Sequence, residues 1–321
     1  MAEETGIAWT RSTFNGWVGC QKIGPGCDNC YAEAQDRRWG NDRWGPHAIR
    51  TRTSPAYWRK PFGWNAHAAA SGQFWPVFCS SLADVFDNAV PQAWRDDLWA
   101  LIRATPHLTW QLVTKRIGNA ARMLPADWGE GYPNVWLLST IVTQNEADRD
   151  IPKLLCTPAR TRGLSMEPLL EAVTLTALSN TAGLAEGQPY LNALGGYAWA
   201  ADPPDYYDTC TVGGKLDWII VGGESMQGGA CRPFDLAWAR ALRGECYDAN
   251  VAFFMKQTGS LVFDHERPIS RSRGPGADPA KWEHWLRVRQ FPDAAGRPWE
   301  PVPGSWQRPA PLVREERARS T

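Results

Sequence analysis

The sequence predicts an α/β protein built as a complete or partial (β/α) barrel. Three observations carry this. Short apolar runs recur along most of the chain, and each closes on small or polar residues, as in Phe74–Ser80 or Asp217–Val221 followed by Gly222-Gly223-Glu224-Ser225. A stretch of helical period follows most of these runs. A cysteine-bearing loop follows the first of them. Continuous apolar runs alternating with amphipathic helices are the pattern of parallel strands buried on both faces. Polar residues at the strand ends place a site at the carboxyl edge of such a sheet.

In chain order, residues 7–15 supply the first strand, and the cysteine loop spans Trp17 to Tyr31. Residues 31–39 read as a helix, and 40–72 as a Gly-, Pro-, Arg- and Trp-rich connection, with 54–66 expected as a lid or flank near the cysteines. Phe74–Ser80 precedes a helix at 91–104, and Leu108–Val113, closing on Thr114-Lys115-Arg116, precedes one at 117–123. Val135–Thr140 precedes a helix at 145–155, and the weaker run Thr161–Ser165 ends in Met166-Glu167-Pro168. Asp217–Val221 precedes a helix at 234–248, and Val251–Met255, ending in Lys256-Gln257, closes a set of about seven strands. Two segments break this rhythm. Residues 176–215 read as an insertion into a barrel domain of 1–260, and 261–321 as an Arg-, Pro- and Trp-rich C-terminal extension whose end, 314–321, is expected to be disordered.

The 321 residues allow a sizeable core, and 34 basic against 34 acidic side chains leave no bulk charge to attract nucleic acid, although a local basic groove stays open. No apolar run approaches membrane-spanning length, and Met1-Ala2-Glu3-Glu4-Thr5 lacks the regions of a signal peptide, so a cytoplasmic protein is expected. Five of the eight cysteines are scattered, unlike a disulfide framework. Most of the 19 tryptophans are expected in the core or at its rim. The five histidines show no metal-binding spacing, and no phosphate-binding Gly-rich motif is present.

The other three cysteines, Cys20, Cys27 and Cys30, have the spacing C-x6-C-x2-C in a loop punctuated by Gly24, Pro25 and Gly26. A structural zinc site closes itself with four ligands, which here would need His47 or Cys79 from afar. Three thiolates without a nearby fourth suit a [4Fe–4S] cluster with one iron left open to a small molecule.

These landmarks carry a resemblance. The chain resembles the radical S-adenosylmethionine (SAM) superfamily, although its first cysteine gap is six residues rather than the usual three. More specifically, it is similar to a phage-associated three-cysteine-motif family on the spore photoproduct lyase-like branch. The shared segments are Gly19–Tyr31, Ser81–Phe86, Leu112–Arg116, Leu164–Leu170, Ile220–Ser225 and Phe253–Gln257. The resemblance implies a barrel of the radical SAM type, with a [4Fe–4S] cluster on Cys20, Cys27 and Cys30 whose open iron chelates SAM. One-electron cleavage would then give a 5′-deoxyadenosyl radical that takes a hydrogen from a substrate. The implied partners are an electron donor of the flavodoxin or ferredoxin type, a nucleic-acid base or nucleotide as substrate, and a separately encoded protein.

The same resemblance places Tyr31 near the adenine, and Ser80, Ser81 and Asp84 at the SAM amino group. Ser139 and Gln144 would stand by the ribose or carboxylate, with Lys115 and Arg116 by the carboxylate or a substrate phosphate. Gly222 and Gly223, after a late strand, could meet SAM or substrate. Glu167, Glu224 and Lys256 end strands and are candidate catalytic groups, the alternative being buried ion pairs. Cys79 and Cys231 are candidate hydrogen-atom donors, the alternative being small core residues. The rival functional reading is a non-catalytic, zinc-containing module that binds nucleic acid or protein.

Overall fold

The computed structural model describes residues 5–180, 183–200, 209–227, 231–301 and 305–307. Seven strands form one sheet: β1 (Ser12–Phe14), β2 (Pro76–Cys79), β3 (Thr109–Thr114), β4 (Val135–Thr140), β5 (Thr161–Met166), β6 (Trp218–Gly222) and β7 (Ala252–Gln257). Their spatial order is their chain order, and every neighbouring pair is parallel. Among the described residues β1 and β7 do not pair, so the sheet stays open as a half-barrel. The architecture is therefore a partial (β/α) barrel.

Among the described residues seven α-helices accompany it: α1 (Tyr31–Arg38), α2 (Pro55–Trp58), α3 (Lys60–Ser71), α4 (Gln92–Ala104), α5 (Ile117–Met123), α6 (Gln144–Cys156) and α7 (Leu236–Asp248). Side chains alternate between the two faces of the sheet. Val77, Cys79, Leu112, Leu137, Met166, Val221 and Met255 face the helices in the main core. Trp136, Leu138, Trp218, Ile220 and Phe254 face inward, where they join Trp9, Phe74 and Phe291. The inward rings pack closely, with centroids 5.2 Å apart for Trp136 and Trp218 and 5.3 Å for Trp218 and Phe291. Aromatic side chains thus fill the amino-terminal end of the barrel and leave its carboxyl end to polar residues.

The connection 40–72, in which 54–66 was expected as a lid or flank near the cysteines, holds α2 and α3. They pack on the outer face, with the Tyr57 ring stacked on Phe14 at 5.3 Å, rather than over the cysteine loop. Of the twelve residues of α3 only Pro61, Trp64 and Ala68 are buried, too narrow a stripe to show as a period in the sequence. The insertion forms a four-stranded antiparallel sheet (Leu178–Ser179, Tyr190–Asn192, Tyr197–Trp199 and Thr209–Thr211). Its flank is tied to the outer helices, since Ser179 N donates to Asp148 of α6 and Leu175 N to Glu245 of α7.

The stretch after residue 260 divides in two. A hairpin of β8 (Leu261–Asp264) and β9 (Arg267–Arg271) leaves the mouth side beyond β7. Residues 288–290 pair antiparallel along the edge of β7, where Met255 N and Gln290 N donate to the carbonyls of Val288 and Phe253, and Phe291 and Trp299 then pack on the inward aromatic cluster. The expected disordered end, 314–321, lies outside the described residues. No helix among the described residues is long and apolar enough to cross a membrane.

Candidate functional site

At the carboxyl end of the strands a cleft is lined by Cys20, Cys27 and Cys30 together with Tyr31, Ser80, Ser81, Asp84, Lys115, Arg116 and Thr140. The three cysteines come from one loop with a tight framework. Trp17–Val18 pairs antiparallel with Thr51–Arg52, Cys20 bridges to Trp44, and a 3-10 turn spans Pro25–Cys27. Cys30 is the residue before the first turn of α1, so its side chain stands at the positive end of that helix. All three thiols are free and partly accessible. No fourth cysteine or histidine among the described residues lines the cleft. His47 is exposed and does not line it, and no three His, Cys, Asp or Glu side chains among the described residues are grouped so as to hold a metal ion.

Two arginines hold this loop, one on each side. Arg116, at the end of β3, is 8% exposed. Its Nη2 donates to the Gln21 carbonyl at 2.8 Å, while its Nη1 reaches Cys20 Sγ at 3.4 Å and Asp84 Oδ2 at 3.1 Å. Asp84 is itself fixed, accepting from Thr114 Oγ1 at 2.8 Å and from the amides of Phe86 and Lys115 at 2.9 and 3.0 Å. Burial pushes the Cys20 thiol up to about 11, and the Arg116 charge works against that shift.

On the other side Arg232 Nη1 donates to the Pro25 carbonyl at 2.8 Å and to Asp28 Oδ2 at 3.2 Å. Its Nη2 donates to Glu224 Oε1 at 2.5 Å, and Asn29 Nδ2 donates to Glu224 Oε2 at 2.9 Å. Burial alone would raise the Glu224 carboxyl, but these donors hold it below the usual carboxylate range. Glu224 therefore sits in an ion pair that anchors the cysteine loop to the end of β6. Sequence inspection offers no signal for Arg232, since the contact closes across 207 residues.

Glu167 and Lys256 meet at 2.5 Å, with side chains 13% and 22% exposed. Glu167 ends β5 and Lys256 lies on β7, so the pair spans β6 between them. It crosses over Gly222, where an added Cβ would come within 2.8 Å of Glu167 Cγ. Gly223 packs backbone to backbone, its added Cβ falling 2.4 Å from the Thr258 carbonyl oxygen. Neither glycine lines the cysteine cleft.

The remaining candidates divide by strand parity. Tyr31 donates its hydroxyl to the Ser81 carbonyl at 2.7 Å, tying α1 to the end of β2. Ser80 and Lys115 line the cleft, and Lys115 Nζ has no recorded partner among the described residues. Cys79 points the other way, into the helix-side core, where burial pushes its thiol up to about 12. Ser139 shares the outward parity of Leu137, and Thr140 is the residue of β4 that reaches the cleft. Gln144 is tied to the segment before the insertion, its side chain accepting from Thr174 N at 2.9 Å and donating to Asp148 at 3.0 Å. Cys231 is partly exposed beside Arg232.

A family model described as a protein of unknown function, DUF5131, matches residues 4–302. Neither the curated proteins nor the solved structures give a match. With both the half-barrel and the cysteine loop inside the matched span, the chain belongs to the DUF5131 family.

Proposed function

We propose that this chain is a radical SAM enzyme that holds a [4Fe–4S] cluster on Cys20, Cys27 and Cys30 at the mouth of its half-barrel. One observation carries the reading. Three accessible cysteines from one loop share a cleft at the carboxyl end of a parallel barrel, and no fourth cysteine or histidine among the described residues lines it. That donor set fits a cluster with one open iron better than a closed zinc tetrahedron. When bound, the cluster and SAM supply a one-electron reductive cleavage that yields a 5′-deoxyadenosyl radical for hydrogen abstraction.

The chain's own work is ligation, orientation and exclusion of water. Arg116 and Arg232 hold the cysteine loop from two sides. The Lys115 ammonium, without a recorded partner among the described residues, suits the carboxylate of SAM. Glu167 and Lys256, partly exposed at the mouth, can hold and exchange a proton next to a bound substrate. A nucleic-acid base or nucleotide is the substrate class we favour. Arg267, Arg271 and Arg273 support it, standing exposed without a recorded carboxylate partner among the described residues on and after the mouth-side hairpin. The reaction requires an electron donor, of flavodoxin or ferredoxin type, and co-purification would reveal any separately encoded partner.

The test is anaerobic reconstitution with iron and sulfide, reduction with dithionite, and assay of SAM for 5′-deoxyadenosine. Cleavage that disappears in Cys30→Ala is the expected result. A colourless protein carrying one zinc per chain, with no cleavage, would return the triad to a structural role.

A further inference from the structure

We infer that Arg116 is a positioning residue that sets the reduction potential of the cluster through its hydrogen bond to the Cys20 sulfur; this rests on the radical SAM reading above. The guanidinium is buried, and its two terminal nitrogens bond to Asp84 on one side and to Cys20 Sγ and the Gln21 carbonyl on the other. Each partner is fixed. Asp84 accepts three further bonds from the β3 end and the loop after β2, and Arg116 N donates to Thr114 Oγ1 at 2.8 Å. A side chain gathered only to bind a passing anion would keep its donors free. This one spends them on the ligand loop.

The chemistry follows from charge. Reduction adds one electron to the cluster and its thiolates. A donated N–H and a positive charge 3.4 Å from one sulfur favour the more negative state and raise the potential. Asp84 fixes the guanidinium in place and also offsets part of its charge. The two residues therefore act in opposite directions on the same couple. In this arrangement the recorded guanidinium bonds of Arg116 go to Asp84 and the cysteine loop, while both residues still line the cleft.

The experiment uses the full chain, reconstituted anaerobically without SAM, with the midpoint potential read by dithionite titration under electron paramagnetic resonance. Iron and sulfide are counted per chain. Arg116→Met should lower the potential by on the order of tenfold in the reduction equilibrium, about 59 mV for one electron. Asp84→Asn should raise it, and Arg116→Lys, which keeps the charge without the fork, should fall between wild type and Arg116→Met. Opposite signs are not what a purely structural role would produce. Unchanged potentials, or shifts of the same sign, in variants that carry full iron would overturn the inference while leaving the radical SAM reading intact. If Arg116→Met fails to hold iron, the order of wild type, Arg116→Lys and Asp84→Asn decides the question. A wild type that takes up no cluster would overturn both proposals, and that failure appears in the parent rather than in the variants.

Discussion

Arg232 donates to four acceptors on two separate segments, and its main partner, Glu224, has a side chain only 6% exposed. Replacing it with Met leaves a buried carboxylate with Asn29 as its remaining side-chain donor. The expected loss is about 2 kcal/mol, below the cost of breaking a fully buried pair because Arg232 is itself partly exposed. The pH dependence has a definite sign. Since the folded Glu224 carboxyl is depressed below its ordinary value of 4.5, its stabilisation is complete above that value and fades as pH falls through the folded one. Urea midpoints should therefore separate wild type from Arg232→Met at pH 7 and converge as pH falls from 4.5 through the lower folded value. A gap that stays constant across that range would mean that Glu224 contributes no ion pair. At this scale the cysteines were legible in the sequence because their spacing is local. Arg232 was not, and Arg116 was singled out without its hold on the cysteine loop, because each contact crosses many residues, 95 from Arg116 to Gln21 and 207 from Arg232 to Pro25.

Elements were far more legible than the directions of their side chains. All seven barrel strands overlap the runs read from the sequence, and four reach one or two residues past them to Thr114, Met166, Gly222 and Gln257, because a strand buried on both faces is largely apolar. The same property hides which residues face the mouth. Cys79 and Ser139 stand at strand ends like true mouth residues, yet each is one position out of phase, and Ser80 and Thr140 take the cleft. One glycine exposes the inner face directly. At Gly163, within β5, an added Cβ would meet the Trp218 carbonyl oxygen at 2.8 Å and Leu138 Cγ at 3.3 Å. Backbone cannot step aside as a side-chain tip can, so Gly163→Ala should force β5 from β6 and cost about 1–3 kcal/mol. Gly118 in α5 is the control, since its added Cβ meets only Lys153 Cδ at 3.6 Å. Gly118→Ala should stabilise by about 0.5–1 kcal/mol through helix propensity. Thermal melts showing the same sign for both variants would contradict the assigned parity.

At the scale of the whole molecule the barrel has a dry end and a wet end, and the stretch after residue 260 serves both. Its first part forms the hairpin beyond β7, and its later part, through Phe291 and Trp299, covers the inward aromatic cluster. Composition alone made this stretch look like an appendage, since Arg and Pro dominate it and its buried residues lack periodicity. Phe291 is 1% exposed and packs on Phe74, Trp218, Phe254 and Trp299 with centroids 5.3–5.5 Å apart. Truncating it to Ala removes a ring from the centre of that cluster and should cost about 3–5 kcal/mol, with no element of the mouth touched. The two ends can then be tested separately. Phe291→Ala should melt well below wild type yet take up the same iron per chain when reconstituted in the cold. Cys30→Ala should lose the iron and keep the melting temperature of the wild-type apoprotein. If Phe291→Ala loses iron and stability together at low temperature, the base and the cysteine loop form one cooperative unit, and the separation of a packed base from a ligand-holding mouth would fail.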